Sequence, residues 1–146
     1  MNTSSRQSLR AGAAYVGWVF GVGFALGVVR VPFIVPRLGE RWAELAEMPL
    51  MALVIWFAAR HVVRRFASPR EAGPRLATGA VALVLLLGAE LLLSVVLAGR
   101  SVGEYLSSRD PVSGMVYLGM LALFALMPWL RARFVEEPPR APSAAD

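Results

Sequence analysis

The sequence predicts an all-α, polytopic membrane protein with four transmembrane helices in one bundle and both termini in the cytoplasm. Three observations carry this prediction. The chain is 57% hydrophobic and only 17% charged, with a mean hydropathy of +0.58, so it is more apolar than an ordinary soluble domain. Its apolar residues gather at about 11–29, 43–63, 76–98 and 112–130, each close to the ~20 residues that a ~30 Å hydrocarbon layer requires of a helix. Its arginines are shared unevenly among the connections, which orients the spans.

The amino tail, residues 1–10, carries Arg6 and Arg10. The first span follows directly, and its length argues for an uncleaved anchor rather than a signal peptide. It contains Gly17 and Gly21, then Gly23 and Gly27, twice the G-x-x-x-G spacing that lets another helix approach closely. These four glycines are candidate helix-packing positions, the partner being a helix of this chain or of a second copy.

Residues 31–42 contain Pro32, Pro36 and Gly39 among apolar side chains. Proline removes a backbone donor and restricts its neighbour, so an irregular connection at the outer interface is expected. Span two is the least regular, with Glu44, Glu47 and Pro49 near its start. Pro49 is either a first-turn proline or a helix-interior one that frees the Leu45 carbonyl. After the polar turn 67–74, span three runs unbroken except for Glu90.

Ser101 and Glu104 have capping-box spacing. Asp110 followed by Pro111 is an acidic cap with proline at the first helical position, a good start for span four. Residues 131–146 form a proline- and alanine-rich tail, expected to be disordered. The 11–130 region is thus one transmembrane domain between two cytoplasmic tails.

All fifteen basic residues are arginine, and the net charge is +5. Ten arginines lie in the two tails and the 2–3 connection, against five in the other two connections. By the positive-inside rule both termini face the cytoplasm. The basic balance suits anionic lipid, and Arg37, Arg60, Arg64 and Arg65 are candidate headgroup contacts. No basic domain or aromatic-plus-glycine RNA signature accompanies it, so nucleic acid is not an expected partner. The absence of cysteine excludes disulfides and thiol chemistry.

Glu90 is the most informative residue. A charged side chain at a helix centre costs roughly 2.5–3.5 kcal/mol on insertion scales, so such residues are paired, protonated or functional. With the predicted topology, Arg30, Glu44, Glu47 and Glu90 converge in the outer half of the bundle. Glu44 and Glu47 share a helix face, and Ser94 lies one turn from Glu90. A pair of Arg30 with Glu47 or Glu90 is expected, with Ser94 helping to solvate Glu90. The chemistry is a buried ion-pair cluster that fixes helix register, a protonatable site, or a contact with a partner helix or a lipid headgroup whose phosphate Arg30 and Arg37 hold at the outer interface.

His61, the single histidine, sits among arginines and makes a poor metal ligand set. No catalytic-serine elbow, zinc-protease pair or phosphate-cradling loop is present, and no cofactor or metal is expected. The tryptophans, with Tyr15, Tyr105 and Tyr117, read as interfacial anchors.

The residues Arg30, Pro36, Gly39, Ala43, Glu47, Pro49, Ala59 and Arg60, with Arg109, Asp110 and Pro111, resemble a group of small four-helix bacterial inner-membrane proteins without an established activity. The resemblance implies an architecture and a location, and no catalytic residue. The expected function is a non-enzymatic accessory protein or small subunit of the inner membrane, partnered by the bilayer and by a further copy or another membrane protein. A proton- or cation-coupled transporter using Glu90 is the alternative, and a lipid-modifying enzyme using the outer carboxylates is the weaker one.

Overall fold

A computed structural model describes residues 3–66, 72–98, 103 and 110–134. Among the described residues all of the regular structure is helical. Helix α1 spans Thr3–Val29 and passes into a π-helical turn, Arg30–Ile34, and a short helix α2, Val35–Leu38. Helix α3 spans Glu40–Arg65, α4 spans Ala72–Ala98 and α5 spans Pro111–Phe134. Among the described residues four helical stretches, Ser5–Leu38, Glu40–Arg65, Ala72–Val96 and Pro111–Arg131, are long and apolar enough to cross a membrane.

The expected irregular connection between spans one and two is therefore helical, and this corrects the reading of residues 31–42. Pro32 and Pro36 cannot donate to Val28 and Pro32 in an i to i−4 ladder. The wider π turn absorbs the first loss, with the Val35 N–H bonded to the Arg30 carbonyl. Gly39 then reverses the chain at φ +77°, a conformation in which a Cβ is strained. Its carbonyl accepts from Ala43 at 3.1 Å, and α3 starts at once. Pro49 consequently lies at the tenth residue of α3, inside the helix.

Asp110 caps α5 as its sequence position suggests. Its Oδ1 accepts from the Val112 and Ser113 amides at 3.0 and 3.1 Å, satisfying donors that a helix start leaves open. The expected cap at Ser101 and Glu104, the interfacial Tyr105 and Arg109, and the tail beyond residue 134 lie outside the described residues.

The helices form a closed ring in which α1 and α5 each pack against both α3 and α4. At the end holding the start of α1, Gln7 donates to the Phe66 carbonyl and Ser8 to that of Pro74. The core at this end is built from Ala11, Tyr15, Ala58, Ala59, Val62, Ala82, Phe124 and Met127. Many of these side chains are small, and two glycines permit still closer approach. A Cβ on Gly12 would stand 2.9 Å from Val81 Cγ1, and one on Gly79 would fall on the Ala125 carbonyl oxygen.

Of the four predicted packing glycines, Gly23 meets Met51, whereas Gly17, Gly21 and Gly27 have no atom within 4 Å of a Cβ position. Packing within the chain through those three is not found. On a 3.6-residue helix Gly17 and Gly21 lie opposite the face of Tyr15 and Val19, so they point away from the core. Outside the bundle, large apolar side chains such as Val84 at 70% and Leu92 at 63% exposure form a surface far more apolar than a soluble monomer presents.

Candidate functional site

Toward the other end the helices separate around a cavity of about 270 Å³. Side chains from all four long helices line it: Phe20 and Phe24 of α1, Met48 and Met51 of α3, Glu90 of α4, and Tyr117 and Met120 of α5. Leu86 and Phe124 line it where it meets the packed core. The Arg30, Glu44 and Glu47 side chains complete the wall.

The π turn positions Arg30. Its Nε lies 3.2 Å from Glu47 Oε2 and its Nη1 3.5 Å from Glu44 Oε1, with all three side chains about a fifth exposed. One guanidinium thus holds two carboxylates one helical turn apart on α3. With both carboxylates ionised this triad carries one positive and two negative charges. In a partly water-excluded site such a surplus is costly unless a proton or cation offsets it.

Glu90 meets a different partner. The Tyr117 hydroxyl donates to Glu90 Oε2, which joins α4 to α5 across the cavity from the triad. Of the expected cluster, the structure brings Arg30, Glu44, Glu47 and Glu90 to one cavity, and the ion pair runs to Glu47 and Glu44. Ser94 is half-buried and does not line the cavity, because it stands one further turn along α4.

Tyr117, read as an interfacial anchor, is half-buried and donates its hydroxyl to the Glu90 carboxylate. Tyr15, read the same way, is fully buried and stacked on Phe124 with ring centroids 4.4 Å apart. Trp18 and Trp42, at 54% and 66% exposure, do face outward.

Two arginines counted as loop or tail charges are also buried. Arg75 directs Nη1 to the Pro128 carbonyl at 3.4 Å, and Arg131 lies over the Trp56 ring at 4.6 Å, a cation–π distance. Among the candidate headgroup arginines, Arg37 bonds the Phe33 carbonyl at 2.6 Å. Arg60, Arg64 and Arg65 are exposed along α3.

Beside the cavity, Arg41 of α3 grips Asp110 at the start of α5. Its Nη2 and Nε lie 2.6 and 3.0 Å from Asp110 Oδ2. The guanidinium hydrogen bond, supported by the two capping amides, holds the Asp110 carboxyl below its usual range. Among the described residues no group of three or more His, Asp or Glu could hold a metal ion.

Comparison of the chain with protein-family models, with curated proteins and with solved structures finds no match in any of the three.

Proposed function

We propose that this chain is a multi-pass protein of the bacterial inner membrane, with both termini cytoplasmic, whose outer cavity binds a proton or a small cation. The carrying observation is the triad on the cavity wall, where Glu44 and Glu47 share the single guanidinium of Arg30. A cluster that served only to fix helix register would be close-packed like other interiors. This one faces about 270 Å³ of open space, room for several water molecules at ~30 Å³ each. A bound proton or monovalent cation would cancel the surplus carboxylate charge, and the Met and aromatic walls suit a weakly hydrated cation.

Carbodiimide labelling tests the reading, because the reagent attacks protonated carboxyls in apolar surroundings. Protein in lipid, labelled across pH and read by mass spectrometry, should be modified at Glu47 or Glu44, with labelling that fades as pH rises. Tetramethylammonium should protect against it if a cation occupies the cavity. A proton gradient across reconstituted vesicles then distinguishes coupled flux from binding alone. No labelling of either carboxylate, with an exposed control carboxyl labelled, overturns the proposal.

The second reading is a non-enzymatic accessory protein or small subunit in which the polar contacts are purely structural. It is favoured by the way Arg30 joins the π turn to α3 while Tyr117 joins α5 to α4. A lipid-modifying enzyme is the least supported, since Glu44 and Glu47 both engage Arg30.

A further inference from the structure

A second feature lies on the outer surface of the bundle, away from the cavity. A furrow of about 860 Å³ runs between α1 and α3. Its walls are Trp18 and Val22 on one side and Leu50, Leu53, Val54 and Phe57 on the other. At one end it is closed by Arg60, His61, Arg64 and Arg65, all exposed. Trp18 and His61 meet edge to face across it, with ring centroids 5.6 Å apart.

Its dimensions are those of one leaflet. Leu50 to Arg64 spans about 21 Å of helix at ~1.5 Å per residue, compared with ~15 Å for half of the hydrocarbon layer plus a headgroup. A second, smaller furrow of about 460 Å³ is formed by Ala14, Gly17, Trp18, Gly21 and Val22. It shares Trp18 and Val22 with the first and lies on the far flank of α1. Gly17 and Gly21, two of the glycines that meet nothing within the chain, form its floor.

We propose that this surface holds one anionic diacyl glycerophospholipid, its phosphate against Arg60, Arg64 and Arg65 and its two chains on either side of Trp18. Charge complementarity selects the occupant. Three guanidiniums beside an apolar channel match a phosphate carried on hydrocarbon, and the planar donor fork pairs with phosphate oxygens two at a time. Arg60 and Arg64 lie one turn apart on the same face, so both reach one headgroup. The inference depends on membrane insertion and not on what the inner cavity binds.

Native mass spectrometry of the purified full-length protein, titrated with phosphatidylglycerol and with phosphatidylcholine of identical chains, tests it. One lipid per chain should be retained, with the anionic one preferred about tenfold. R64Q/R65Q should reduce that preference to about twofold or less. R6Q/R10Q, which removes two charges from the same end of the bundle outside the furrow, should leave it unchanged. Should R64Q/R65Q fail to fold by circular dichroism, R60Q alone should lower the preference about threefold. The proposal is overturned by equal affinity for the two lipids, by equal loss in both double variants, by displacement of the lipid with inorganic phosphate, or by a lipid-free dimer whose interface is this surface.

Discussion

The Tyr15 hydroxyl donates a 3.1 Å hydrogen bond to the Phe124 carbonyl, the acceptor that Pro128 deprives of its donor. In a helix the N–H of residue 128 would bond the carbonyl of residue 124, and proline has none. A buried carbonyl so exposed must find another partner or destabilise the fold. Tyr15 supplies it from α1, with its ring stacked on that of Phe124 itself. A proline defect in α5 is thereby converted into a contact between helices that face each other across the ring.

Replacing Tyr15 with Phe keeps the stacked ring and removes only the donor. The expected loss is about 1–3 kcal/mol, the cost of leaving a buried acceptor unsatisfied. Pro128→Ala returns a backbone N–H to Phe124, so Y15F should cost less on that background than on the natural chain. Reversible unfolding in detergent measures the cycle, and a coupling above about 0.5 kcal/mol is expected for residues in one network. Strict additivity would refute the shared carbonyl.

The glycines divide into two classes with opposite expectations. Gly79→Ala sets a methyl on the Ala125 carbonyl oxygen and should cost at least about 2 kcal/mol, since two backbones must separate. Gly27→Ala meets nothing within 4 Å and should be neutral or add roughly 0.5–1 kcal/mol through helix propensity. Thermal midpoints of the two variants check this. A destabilised Gly27→Ala would instead place that face against a partner.

The four helical stretches were legible because length and apolarity alone select a membrane-crossing helix, and the convergence of Arg30, Glu44, Glu47 and Glu90 followed from alternating helix direction. What escaped the sequence was pairwise. Glu90 and Tyr117 lie on different helices, and no period relates their rotations about two axes. Tyr15 resembled an anchor by type and position, and Pro128, which leaves the Phe124 carbonyl open to its hydroxyl, lies 113 residues away in the chain. The G-x-x-x-G spacing identifies a smooth face without saying what covers it, and it does not mark the close contacts at Gly12 and Gly79, which lie outside any such pair. The π turn is likewise invisible to a proline rule that marks only where an α-ladder fails.

The contact between Arg41 and Asp110 should be pH-dependent in one direction. Asp110 is held below the usual carboxylate range by the guanidinium. Its contribution to order at the start of α5 is therefore complete above that range and is lost as pH falls through the lowered value. An NMR titration of the Asp110 carboxyl carbon should give a midpoint below that of an unperturbed aspartate, and R41Q should move it upward. A midpoint at or above the ordinary range in the natural chain would show that the contact does not persist in solution.

Arg30→Gln and Glu90→Gln should differ, because the two residues have different kinds of partner. Arg30 lies between two carboxylates at 3.5 and 3.2 Å, and its removal leaves like charges one turn apart with nothing to offset them. The expected loss is roughly 1–3 kcal/mol, less than for a fully buried pair because the triad is partly exposed. Adding Glu47→Gln to that variant removes one of the stranded charges and should recover part of the loss. Glu90→Gln keeps a carbonyl oxygen that can still accept from the Tyr117 hydroxyl, so it should cost under about 1 kcal/mol. Unfolding of the three variants under one set of conditions decides the matter. Equal losses in the two single variants, with no recovery in the double, would mean that Arg30 is held by something other than Glu44 and Glu47.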